Sequence, residues 1–161
     1  MGTYKLLLEE SIGYDFTVIA LHGSLEPYYV AYLLNKYLDI QLARTPKDLI
    51  IEQEVGIQRA YTCFEYKDMF RYIDYYVFEN KIKTTSTKQL GEGLFESEDT
   101  TQTQFFIPEM QQVDYFIKVI EDGYAFAKAK TLKTLNQIPQ IVTAYEVDVE
   151  KLKNKQNLIF E

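Results

Sequence analysis

Two carboxylates, Glu109 and Asp114, stand five positions apart in the stretch Phe105-Phe106-Ile107-Pro108-Glu109-Met110-Gln111-Gln112-Val113-Asp114-Tyr115-Phe116. Carboxylates serve as general acids, bases and metal ligands, or as acceptors for backbone donors. The Met-Gln-Gln between them supplies no third ionisable group, and a reaction site needs a base, a charge stabiliser or a metal set nearby. The bland reading is therefore preferred: both carboxylates tie down backbone. Glu109 is expected to take donors freed where Pro108 breaks the strand, and Asp114 to do similar work across the corner. The other chemically capable residues are His22 and Ser24, in His22-Gly23-Ser24, and the single cysteine, Cys63. One Cys and one His exclude an internal disulfide and the usual zinc constellations, and no metal site or cofactor is expected. Catalysis by a Cys63–His22 pair would need the two to meet in space with no local signature, and a lone Cys in a strand-like run reads as a small core residue.

The elements that must position these residues can be read from periodicity. Pro108 fixes its own φ and pushes Ile107 into an extended conformation, so Phe105–Ile107 should finish a strand. After the corner, Val113, Tyr115, Ile117 and Val119 alternate with their neighbours as the next strand, ending near Glu121. Upstream, Thr3–Glu9 and Tyr14–Leu21 read as strands joined by Ser11-Ile12-Gly13. Ser24 is placed to cap a helix with Pro27 in its first turn, and Val30, Leu33, Leu34, Tyr37 and Leu38 follow at helical spacing. That puts His22 and Ser24 at a strand's carboxyl end before a helix N-terminus, where α/β sheets place ligands, and makes them the candidate ligand contacts. Ile40–Arg44 resumes a strand. Ile57–Tyr66 and Phe70–Glu79 form a hairpin through Lys67-Asp68-Met69, with aromatic residues on both faces, so both faces should be covered by protein. Ile82–Thr87 reads as a further strand or as the start of the next segment; 84–104, rich in Ser and Thr, with Gly91-Glu92-Gly93 and the acidic Glu96-Ser97-Glu98-Asp99, reads as a polar, flexible loop. An amphipathic helix over Tyr124–Asn136 and a strand from Ile141 complete the chain.

The residues Ile107, Pro108, Glu109, Val113, Asp114 and Tyr115 match, position by position, the motif after which the IPExxxVDY family is named. The chain resembles that family, whose members are bacterial proteins of about this length without an assigned activity. The ending Leu152–Phe160 also looks like the family's closing segment. The resemblance implies family membership over most of the chain, but no reaction, cofactor or partner.

At 161 residues, with 47% hydrophobic and 25% charged residues, the chain has the size and composition of one globular domain. Fourteen Tyr and ten Phe with no Trp favour strands. The net charge of −7 is concentrated in residues 48–109, with twelve acids and six bases, which argues against binding a phosphate backbone. No segment approaches a membrane span or a signal peptide, so a cytoplasmic location without membrane association is expected. The expected architecture is α+β: two main helices on one face of a largely antiparallel or mixed sheet of about six to eight strands. Two strand–helix–strand units flanking an aromatic hairpin are similar to the split βαβ arrangement of ferredoxin-like folds, including small-molecule-sensing ACT domains. The expected function is a noncatalytic module for protein–protein interaction or small-ligand sensing. A homodimer is expected from the aromatic load. The alternative is an enzyme using the carboxylates or His22 near the signature corner.

Overall fold

The computed structural model describes residues 15–89 and 97–160; the expected strand Thr3–Glu9 and its turn lie outside them. Strand β1 (Phe16–His22) leads into helix α1 (Pro27–Leu38), which buries Val30, Ala31, Leu33 and Leu34. Pro27 occupies the first turn, where its missing N–H costs nothing. Ser24 does not cap this helix: the N-cap is Glu26, without a side-chain capping bond, because the rigid Pro27 sets the start two residues later. Then come β2 (Ala43–Arg44), β3 (Leu49–Glu54), β4 (Ile57–Tyr61), β5 (Cys63–Asp68), β6 (Ile73–Glu79), β7 (Lys81–Gln89) and β8 (Ser97–Phe105). A 3-10 turn at Pro108–Met110 precedes β9 (Tyr115–Glu121), helix α2 (Lys128–Gln137) and β10 (Thr143–Glu146).

The fold is α+β, and its main sheet has six strands in the order β10-β1-β9-β6-β5-β2, with every pairing antiparallel. Because β9 runs antiparallel to both β1 and β6, those two are parallel with β9 inserted between them, a split βαβ unit closed through α1. Likewise β9 and β10 are parallel about β1 and are joined through α2. The four strands β10-β1-β9-β6 thus carry the ferredoxin-like arrangement, and β5 and β2 extend one edge. The first unit does not close through residues 40–44, as periodicity predicts. Of those only Ala43 and Arg44 join the sheet, on its far edge, and β6 is the returning strand.

Both faces of the sheet are buried, so its central strands read as nearly continuous apolar runs. One face packs Ile19, Leu21, Ile73, Tyr75, Val77 and Ile117 under the helices, against Val30, Leu34 and Leu135. The other packs Val18, Ala20, Tyr76, Phe78 and Phe116 under the signature corner and the C-terminal segment, which contributes Val149, Leu152 and Leu158. Phe78 sits at the centre of this second core, with its ring 4.7 Å from Phe106, 5.3 Å from Phe160 and 5.8 Å from Phe116. The buried Lys118 donates from Nζ to the Phe160 carbonyl at 3.0 Å and lies 4.1 Å from that ring, holding the chain end against the sheet.

The segment 84–104 corrects the expectation of a loop. Its described residues belong to β7 and β8, which pair in unbroken register from Lys81↔Phe105 to Gln89↔Ser97. The composition misleads because Thr is β-branched and favours extended backbone, and the exposed residues 98–103 need no apolar alternation to form a strand. The hairpin turn also sits later than predicted: residues 69–72 are turn, and Phe70 and Tyr72 are exposed. The helix after β9 begins at Lys128 rather than Tyr124.

Candidate functional site

The signature corner is held from outside itself. Asn80, completely buried between β6 and β7, donates from Nδ2 to the carbonyls of Met110 and Val113, both at 2.8 Å, and accepts the Ile107 N–H on Oδ1 at 2.8 Å. Its own backbone accepts from Phe106 N at 2.8 Å and donates to the Asp114 carbonyl at 2.9 Å. One amide side chain thereby replaces the ladder bonds lost where Pro108 interrupts the strand, while Ile107 and Val113 anchor the corner in the second core. Sequence reasoning missed Asn80; the available signal was an Asn between two strand-like runs, Phe78-Glu79 and Lys81-Ile82.

Asp114 accepts a backbone donor, but from the end of β1 rather than across the corner. Its Oδ2 accepts the Gly23 N–H at 2.7 Å, fastening the end of β1, and its Oδ1 pairs with Lys81 Nζ at 3.1 Å. The Tyr115 hydroxyl donates to the Leu25 carbonyl. Burial raises the pKa of that hydroxyl, and the nearby carboxylates of Glu79, Glu26 and Asp114 raise it further, so the phenol stays a neutral donor. Glu109 accepts bonds as expected but from elsewhere: its oxygens take the backbone N–H and the Nδ2 of Asn154, at 2.8 and 2.7 Å. The Phe106 and Ile107 N–H groups go to Asn80, and this exposed carboxylate pins the C-terminal segment. Burial opposes its ionisation, but the hydrogen bonds from Asn154 outweigh that and hold its carboxyl below the usual range.

Ser24, Asp114 and Tyr115 come together on one cavity of about 840 Å³. His22 does not line it; its Nε2 lies 2.9 Å from the Tyr145 hydroxyl on β10. Cys63 is on β5, three strand positions from β1 and so roughly 14 Å away, which rules out a Cys63–His22 pair. Burial, followed by the Glu65 charge, pushes the Cys63 thiol up to about 12. No group of three or more His, Cys, Asp or Glu among the described residues is placed to hold a metal ion.

The walls of the cavity come from a fork in the backbone. Strands β5 and β6 pair as far as Cys63↔Phe78, and Thr62 N still donates to Glu79 Oε2 at 3.1 Å. Beyond that point β4 pairs only with β3, and β7 only with β8. Three consecutive residues of β4, Gln58–Ala60, and four of β7, Lys81–Thr84, line the cavity. Successive side chains of a strand alternate between faces, so a wall of three consecutive residues is a main-chain edge. The charged residues here are balanced, with Arg59, Lys81 and Lys83 against Glu26, Glu79 and Asp114. Arg59 Nε is buried without a hydrogen-bond partner among the described residues. The chain matches no family model, no curated protein and no solved structure.

Proposed function

We propose that the chain is a noncatalytic binding module of the IPExxxVDY family, working in the cytoplasm, whose site takes an extended segment of a polypeptide as an added strand in the fork between β4 and β7. The observation that carries this reading is the pair of unpaired strand edges facing one cavity. An extended backbone would satisfy donors and acceptors on both arms, the basis of recognition by strand addition. A carboxylate or carbonyl of the incoming segment would also meet Arg59 Nε, which is buried without a partner among the described residues. The enzyme reading has less support. Asp114, Tyr115 and Glu79 are engaged in holding backbone.

Selection of random nine-residue peptides displayed on phage against the full chain tests the reading. Enriched sequences should carry an acidic residue, lose binding when N-methylated at alternate positions, and bind the Arg59→Gln variant roughly ten-fold more weakly. No enrichment over blank beads, or binding indifferent to N-methylation, would remove it. Self-association is a second reading, supported by the exposed Tyr28 and Tyr32, one turn apart on the outer face of α1. Light scattering at micromolar concentration should then report twice the 18.9 kDa chain mass, and a clean monomer would exclude it.

A further inference from the structure

A second concavity, about 540 Å³, opens at the other end of the molecule, where β6 begins; Ile73 and Glu79 mark ends of that strand roughly 20 Å apart. Its size falls in the range of small-molecule sites, about 300–1,000 Å³. Four aromatic side chains face it: Tyr37 from the end of α1, Tyr75 from β6, and Tyr124 and Phe126 from the turn before α2. Tyr75 and Phe126 meet edge to face at 6.0 Å, which presents ring faces to a guest in two orientations. Two cations, Arg71 and Lys130, line the same space, and neither has a carboxylate within salt-bridge distance among the described residues. Asp39 is the one acid in the lining. The concavity is therefore locally cationic by one charge in a chain whose net charge is −7.

The backbone around this concavity is held in conformations that ordinary residues avoid. Among the described residues, Asp39 and Tyr72 are the non-glycine residues with positive φ, at 53° and 55°; Asp39 lines the concavity, and Tyr72 stands between Arg71 and Ile73, which also line it. For Asp39 the left-handed turn ends α1; for Tyr72, a bulky aromatic, it is a strained choice. The turn carrying it is over-determined. The Asp68 carboxylate accepts the N–H groups of Phe70 and Arg71 at 3.0 Å each, Tyr72 N donates to the Asp68 carbonyl at 2.8 Å, and the Arg71 and Tyr72 carbonyls accept from Tyr124 and Asp122. A Cβ on Gly123 would stand 3.0 Å from both the Arg71 carbonyl and the Tyr72 Cβ, so only glycine lets the two turns meet this closely. The consequence is that Arg71 and Tyr124, far apart in sequence, are fixed side by side at the rim.

We propose that this concavity binds a small aromatic carboxylate, with its ring between Tyr37, Tyr124 and the Tyr75–Phe126 pair and its anionic group on Arg71 and Lys130. The aromatic walls supply dispersion and ring contacts, and the two cations, without a salt-bridge partner among the described residues, select negative charge. This site is independent of the fork between β4 and β7, so either reading can fail alone.

Titration of the full-length protein with 2-naphthoate, followed by amide NMR shifts and calorimetry, is the test. Saturable shifts are expected at residues 71–75 and 124–131. 2-Naphthamide, which lacks the charge, and cyclohexanecarboxylate, which lacks the ring, should each bind roughly ten-fold more weakly. Arg71→Gln and Lys130→Gln should weaken 2-naphthoate by a similar factor and leave 2-naphthamide unchanged, while melting like the parent because both side chains are exposed. Arg59→Gln should bind 2-naphthoate as the parent does. Absence of saturable shifts at millimolar ligand, equal binding of 2-naphthoate and 2-naphthamide, or shifts confined to other surfaces would overturn the proposal.

Discussion

Replacing Asn80 by Ala removes three hydrogen bonds and supplies nothing in return. The partners left behind are the Ile107 N–H and the Val113 carbonyl, both in fully buried bonds, and the Met110 carbonyl, which is only part-buried. A buried backbone group without a partner costs about 1–3 kcal/mol, whereas water can reach the third, so the expected loss is about 3–5 kcal/mol. Against a total stability of about 5–15 kcal/mol this is a large fraction. With a urea m-value of about 2 kcal/mol/M, the midpoint should fall by roughly 2 M. Asn80→Asp gives a sharper signature. Its carboxylate would keep an acceptor for Ile107 but direct negative charge at two carbonyl oxygens, which raises its folded-state pKa above the unfolded value of about 3.9. A raised pKa means that the aspartate is tolerated best below the unfolded value, where it is protonated and can donate. That stability is lost as pH rises through the folded value. Urea melts of parent and variant at pH 4.5 and 7.5 should therefore show the deficit growing with pH. An Ala variant within about 1 kcal/mol of the parent, or an Asp deficit that does not change with pH, would refute the assignment of the corner to Asn80.

The Glu109 carboxyl is held below its usual pKa by Asn154, so its contribution is fully present above the unfolded value of about 4.3 and is lost as pH falls through the lowered folded value. Glu109→Gln should flatten that part of the acid-side stability profile while keeping one acceptor. Glu109→Ala should cost about 0.5–1.5 kcal/mol in denaturant melts, the modest figure of an exposed pair of bonds. Tyr72→Gly should relieve the left-handed strain and leave stability unchanged or raised by up to about 1 kcal/mol, because the side chain is 59% exposed and little packing is lost. A loss above about 1 kcal/mol in thermal or denaturant melts would mean that Tyr72 packs in a way its exposure does not show.

What the sequence determined by itself is the local logic. The helical spacing from Val30 to Leu38, the alternation through β9 and the interruption at Pro108 are short-range constraints, and each is where periodicity and proline chemistry put it. The α+β class followed from them, since two amphipathic helices need a sheet to cover. The tertiary structure decided everything that depends on which distant segments meet. Whether Glu109 answers donors beside it or 45 residues away turned on where the C-terminal segment lies. The role of Asn80 could not be read from its neighbours, because its partners at 107, 110 and 113 are 27 to 33 residues on. His22 and Ser24, two positions apart, were separated by the direction of a strand end, one toward Tyr145 and the other into the cavity. The strand β7 was legible only at its start, Ile82–Thr87, and β8 not at all: the exposed residues 98–103 carry no apolar alternation, and only the pairing partner makes the strand.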